Sequence, residues 1–206
     1  MKKLLIFLAV SAVGYYAYNA DAIYGQYLFN QLCDKEGGAR FYKRVEKGQG
    51  WSQDAVVNSF DMKHLELTKD INRGFLRFKD ESGKTYDARL KAIPPYGSSF
   101  DVINSPDFTL IEPANLSKPV RYVQRYVSET FNPDPRFLKL QSFGKRQTQI
   151  VNLQTNEVVA TYTTFQYAWT KPERVILNGP TATWCDLGSE FYKDFIPNIY
   201  QKGISK

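Results

Sequence analysis

Few residues in this chain have the chemistry for catalysis, and their spacing is unhelpful. The single histidine, His64, sits in Asp61-Met62-Lys63-His64-Leu65-Glu66. An acid beside a histidine can orient it for proton transfer. Such proximity in sequence arises readily by chance, and no serine or cysteine is assignable as its partner, so a surface or hydrogen-bonded histidine is the expectation. Asp101, Asp107 and Glu112 fall in a proline-rich stretch. Two carboxyls facing one cleft, about 5 or 6.5–9.5 Å apart, would suit glycoside hydrolysis, yet nothing in this spacing makes these three converge. Cys33 and Cys185 have neither a local histidine nor a Cys-x-x-Cys partner, which argues against a reactive thiol. One histidine and two cysteines build no histidine-rich metal cage and no zinc knuckle. No phosphate loop, dinucleotide fingerprint, zincin or serine-nucleophile elbow occurs. The reading is therefore no catalytic residue, no metal and no cofactor.

The opening segment is more informative. Met1-Lys2-Lys3 is a basic start, and Leu4 to Tyr18 then runs without a charge. Its large apolar and aromatic members are Leu4, Leu5, Ile6, Phe7, Leu8, Val10, Val13, Tyr15, Tyr16 and Tyr18. A positive end that stays inside, followed by an apolar helix, is the chemistry of export. Two outcomes compete. Ala20-Asp21-Ala22 fits a small-x-small cleavage pattern, which would make residues 1–22 a signal removed after Ala22, with secretion as the result. Alternatively the helix stays as an anchor in the inner membrane, single-pass, with the body in the periplasm.

The charge-free segment would span roughly 22 Å, short of a hydrocarbon core of about 30 Å. Snorkelling of Lys2 and Lys3 or local thinning closes part of that gap. Tyr15, Tyr16 and Tyr18 sit where an interfacial aromatic belt belongs and make a bulky approach to a cleavage site. Tyr24, Leu28 and Leu32, with Tyr27 beside them, continue the helical spacing past Ala22. That continuation favours the anchor, with membrane lipid as its partner. A type IV pilin is excluded by its own motif: Gly14 lies inside the apolar run, and no Glu occurs before Glu36.

In an oxidising compartment the lone cysteine pair reads as one disulfide, Cys33–Cys185. A loop of that length is worth roughly 5 kcal/mol in the chain-entropy model. The net charge of +6 favours anionic neighbours without demanding them, and the basic residues form no long run. Period-two alternation places Leu76, Phe78, Tyr86, Ala88 and Leu90 on a buried face. The opposite face then holds a candidate basic surface of Arg77, Lys79, Arg89 and Lys91, partly offset by Asp87. A solvated face is the ordinary reading of such a pattern. Arg121 and Arg125 interleave with Tyr122 and Tyr126, but export and the spacing argue against nucleic acid.

Strands are expected over 39–46, 75–80, 85–92, 120–128, 147–154 and 157–168, from alternation and β-branched or aromatic composition. Residues 51–72 are ambiguous. Residues 94–119, with five prolines, read as a long irregular connection. Phe137 to Phe143 reads as a short strand, and Phe191, Tyr192 and Phe195 suggest a short helix ended by Pro197. The fold class is α+β: an N-terminal membrane helix, then one mostly antiparallel β domain over 23–206 with a short C-terminal helix.

The stretch Leu32-Cys33-Asp34-Lys35-Glu36-Gly37-Gly38-Ala39-Arg40-Phe41-Tyr42-Lys43-Arg44-Val45-Glu46 resembles a pattern in uncharacterised small bacterial exported or membrane-anchored proteins. In these an apolar helix is followed by Cys, then Gly, then a Tyr-Lys/Glu-x-Val strand. The resemblance implies an exported, anchored domain and brings no activity with it.

The leading functional expectation is a non-catalytic binding or accessory protein of the bacterial envelope, contacting an envelope protein or a cell-wall polymer. An envelope hydrolase using Asp/Glu chemistry is the alternative. A mobile-element or phage-encoded exclusion or immunity factor is the third.

Overall fold

A run of 35 residues without proline, Lys2 to Glu36, forms one unbroken α-helix, α1, about 52 Å long. It absorbs Gly14, where a Cβ would meet nothing within 4 Å, and it stops at Gly37-Gly38. The Gly37 N–H closes on the carbonyls of Cys33 and Leu32, both at 3.1 Å. Gly38, at φ +86°, then turns the chain into the first strand, a conformation that only glycine adopts without strain.

This computed structural model describes residues 2–53, 73–92, 107–136, 138, 141–169, 182–185, 195 and 198–201. The strands are β1 (Gly38–Phe41), β2 (Gly50–Gln53), β3 (Phe75–Lys79), β4 (Thr85–Leu90), β5 (Thr109–Pro113), β6 (Val120–Phe131), β7 (Gln141–Asn152), β8 (Glu157–Trp169) and β9 (Ala182–Trp184). They form one mixed, mostly antiparallel sheet in the order β1-β8-β7-β6-β2-β3-β4-β5, with β9 paired to β8. Strand β2 runs parallel to both β3 and β6. The α+β expectation holds: one N-terminal helix precedes a large, mainly antiparallel sheet.

Several boundaries differ from the sequence reading, each for a physical reason. The first strand ends at Phe41, although Val45 beyond it is fully buried. β5 lies inside the stretch that reads as irregular. It is an edge strand of five residues, and only Thr109 in it is buried. A proline is tolerated at such an edge, so Pro113 does not exclude it. β7 is one long strand that runs straight through Gly144, where the sequence pattern breaks. The short C-terminal helix is not among the described elements. Phe191, Tyr192 and Pro197 lie outside the described residues, which hold here a turn closed by the Ile199 N–H on the Phe195 carbonyl at 3.1 Å.

The chain divides into two compact units. Unit 1 is Met1–Gly38, Ser128–Arg146 and Thr163–Gly188; unit 2 is Ala39–Val127, Gln147–Tyr162 and Ser189–Lys206. Unit 1 is built around Phe29, Leu138, Phe143, Phe165, Tyr167 and Cys185, with Tyr24, Leu28, Leu32, Cys33 and Phe131 packed on that cluster. Tyr167 is central to it, with ring centroids 5.0 Å from Phe143 and 6.1 Å from Phe29. Unit 2 buries Phe41, Trp51, Leu76, Phe78, Tyr122, Ile150, Tyr162 and Phe195. Trp51 stands 5.3 Å from Tyr122, and Phe195 sits 5.7 Å from Phe41 and 5.6 Å from Tyr162.

The β3–β4 hairpin of unit 2 forms with the expected alternation. Leu76 pairs with Ala88 and Phe78 with Tyr86 across the two strands. Its turn is closed by Asp80, whose carboxylate accepts from the Ser82 hydroxyl at 2.7 Å and the Lys84 N–H at 2.9 Å. Gly83 supplies the positive φ of +80° that the turn requires.

A Cβ on Gly25 would run into the Tyr167 hydroxyl and lie 2.7 Å from its Cζ, and the Phe29 and Phe143 rings pack beside that tyrosine. Gly25→Leu should therefore cost about 1–3 kcal/mol, as overpacking does, and lower the thermal midpoint read by circular dichroism. An unchanged midpoint would contradict the close approach. In the hairpin turn, the Ser82 hydroxyl bond holds the Asp80 carboxyl below the usual range, helped by the Lys84 and Ser82 N–H groups. A depressed folded value means the stabilisation is complete above the ordinary carboxylate pKa and disappears as pH falls through the folded value. Asp80→Ala should lower the midpoint at neutral pH, and the gap to the parent should close on acidification.

Candidate functional site

The site that stands out is α1 itself, because its two halves obey different rules. From Leu4 to Tyr18 the large apolar side chains are between 54% and 69% exposed. Burial begins at Asn19 and recurs at Gly25 and Phe29, with Ala22, Leu28, Leu32 and Cys33 half-buried around them. Spacings of three, four and seven residues put these on one face. Among the described residues α1 is the one helix long and apolar enough to cross a membrane, and an export signal passes the same test.

Three contacts hold the second half against the rest of unit 1. At Gly25 the missing side chain lets the buried Tyr167 ring reach the helix, and the Tyr167 hydroxyl donates to the Ala22 carbonyl at 3.4 Å. The Tyr24 hydroxyl donates to Asp134 Oδ2 at 3.2 Å. Asp134 belongs to a turn fixed by Asn132, whose Oδ1 takes the Asp134 N–H at 3.1 Å. One turn before the helix ends, Cys33 and Cys185 form the expected disulfide, with Cα atoms 5.7 Å apart at a sequence separation of 152. The Cys185 N–H bonds the Phe165 carbonyl at 3.0 Å, which sets the cysteine against β8.

The candidate basic surface divides by side chain. Lys79, Arg89 and Lys91 are exposed, as a solvated face requires. Arg77 is not: its Nε and Nη2 donate to the two oxygens of Asp87 at 2.8 and 2.9 Å. It also donates to the carbonyls of Asn115 at 2.7 Å and Lys118 at 3.1 Å. Asp87 accepts in addition from the Asn115 N–H at 3.1 Å. The hydrogen bond to Asp87 pushes the Arg77 guanidinium pKa up, further into the charged form. This pair orders the turn after β5.

Of the candidate acids, Asp107 is exposed just before β5. Glu112 is exposed on β5 and lies opposite Asp87 in register. Asp101 and His64 lie outside the described residues. A further polar feature of unit 2 is the Trp51 indole, fully buried with no acceptor for its N–H among the described residues. The Arg73 guanidinium lies 4.4 Å over its ring and reaches Gln124 Oε1 at 3.4 Å.

Sequence reasoning finds Cys33, Cys185 and the exposed apolar segment. It places Tyr24 on the continuing helix face but misses its partner Asp134, and it misses Gly25 and Tyr167. A glycine inside an apolar-periodic helix is the available signal, since it marks a close approach at the cost of helix propensity. No family model, curated protein or solved structure matches this chain.

Arg77 and Asp87 have side chains only 14% and 12% exposed, so removing one partner strands the other. Asp87→Ala should cost about 1–3 kcal/mol in urea unfolding of the full chain, while Lys79→Ala should leave the midpoint within error. Equal effects would mean that Arg77 is merely another surface cation.

Proposed function

We propose that this protein is a single-pass inner-membrane protein with its body in the periplasm, acting as a non-catalytic binding or accessory protein of the bacterial envelope. The observation that carries the reading is the unbroken Lys2–Glu36 helix, whose first half is exposed and apolar while its second half is built into a folded unit. A cleaved signal needs no such continuity: cutting after Ala22 would sever the helix three residues before the Gly25–Tyr167 approach. The Cys33–Cys185 bridge supports an oxidising compartment on the far side of the membrane. Lys2 and Lys3 at the helix start support an orientation with that end in the cytoplasm. The likeness of residues 32–46 to small bacterial exported proteins agrees with this placement. The non-catalytic part of the reading rests on the poverty of reactive side chains in the sequence.

Full-length protein in native membranes should resist alkaline carbonate extraction, retain its N-terminal segment by mass, and take up a thiol reagent only after reduction. Affinity capture from solubilised membranes should return an envelope protein or a cell-wall fragment. Free thiols in protein trapped directly from cells would remove the periplasmic assignment. Turnover of an envelope substrate that vanished on changing a single acidic residue would replace the accessory role with a hydrolase.

A further inference from the structure

We propose that Ile23 and Tyr27 on the outward face of α1, together with Arg136, form a seat for phospholipid headgroups, so that unit 1 rests directly on the membrane surface. This rests on the anchoring reading above.

The charge-free segment Leu4–Tyr18 reaches only about 22 Å, whereas Leu4 to Ile23 reaches about 30 Å, the thickness of a hydrocarbon core. Ile23 and Tyr27 are 50% and 56% exposed. With Tyr16 they recur at intervals of seven and four residues, on the face opposite Gly25 and Phe29. The polar residues at this level are drawn in against the helix itself, Asn19 being buried and Asp21 half-buried. The Asn19 amide donates back to the Tyr15 carbonyl at 2.9 Å. Asp21, half-buried, accepts from the Ala22 N–H at 2.9 Å. The helix thus has a lipid-compatible face and a protein-packed face at the same level, and the lipid boundary on the outer face falls near Ile23.

The Tyr24–Asp134 bond fixes the turn Asn132–Arg136 at that level. If the boundary lay at Tyr18, this turn would stand about 9 Å beyond it along the helix, past a headgroup layer of roughly 5–7 Å. With the boundary at Ile23 the turn lies inside the headgroup layer. The Arg136 side chain is 82% exposed, with its Nε 3.4 Å from Asp134 Oδ1. A guanidinium so placed has donors for a phosphate as well as for its carboxylate neighbour. Tyr27 supplies the amphipathic ring that favours this depth.

The test places the photoreactive residue benzoylphenylalanine, one site at a time, at Ile23, Tyr27, Arg136 and, as a reference on the same helix, Lys35. The full-length protein is reconstituted into phosphatidylcholine vesicles with and without phosphatidylglycerol, and adducts are read by mass. Phospholipid adducts are expected at positions 23, 27 and 136 and not at 35. In the protein carrying the probe at position 27, Arg136→Glu should reduce phosphatidylglycerol adducts several-fold while leaving the protein membrane-bound. If the protein resists carbonate extraction but positions 23 and 136 give no more lipid adduct than position 35, the seat is overturned and the anchor stands. Release by carbonate would overturn the anchor, and the seat with it.

Discussion

One helix presents two kinds of surface without a joint between them. Past Lys2 and Lys3, the first half of α1 offers its surroundings mainly apolar and aromatic side chains, and the second half buries one face in a protein core. Helical hydrogen bonding runs through the changeover at Tyr18–Asn19, so a tilt of one half is transmitted to the other. Flexible tethers of glycine and serine decouple an anchor from its domain; a continuous helix does the reverse. The docking of the second half consequently decides where everything in unit 1 stands relative to whatever surrounds the first half.

That docking draws on three kinds of interaction, with different weights. Burying a large apolar or aromatic side chain is worth about 1.5–3 kcal/mol, and Phe29, Phe143, Phe165 and Tyr167 are all buried in one cluster. The disulfide, closing 152 residues, contributes roughly 5 kcal/mol at most, mainly by restricting the unfolded chain. Four buried rings together outweigh it. The aromatic cluster therefore positions the helix, and the disulfide keeps the helix end beside β8 when the cluster loosens. The Tyr24–Asp134 bond is the weakest of the three, near 1 kcal/mol, but it ties the helix directly to the 132–136 turn.

What is legible in the sequence follows the range of the forces involved. Alternation is a local property, so the β3–β4 hairpin can be read with its facing residues. The apolar segment is local too, and a lone cysteine pair admits only one intramolecular bridge. β2 and β5 escape such a reading because strands of four or five residues, held by neighbours distant in sequence, carry too little pattern of their own. The approach of Tyr167 to Gly25 joins residues more than 140 positions apart, and neither residue type announces its partner. Alternation puts Arg77 on the correct face, yet its commitment to Asp87 depends on cross-strand register, which alternation alone leaves open.

That commitment also changes what the net charge means. A face patterned with Arg77, Lys79, Arg89 and Lys91 resembles a docking site for an anionic partner when written as a sequence. In the folded chain Arg77 is bound to one carboxylate and two carbonyls, and Asp87 accepts a further bond from the Asn115 N–H. The electrostatic attraction there holds the turn that follows the edge strand β5. Exposed cations on a sheet face gain little from a partner in water, because screening and side-chain entropy offset the attraction. A cation held beside a low-dielectric boundary gains more, since fewer mobile ions and less water intervene. On the proposed anchoring, position relative to α1 therefore weighs more than local charge density in deciding which basic residues of unit 1 matter, and that position is set by the aromatic cluster and the Gly25–Tyr167 approach that dock the helix.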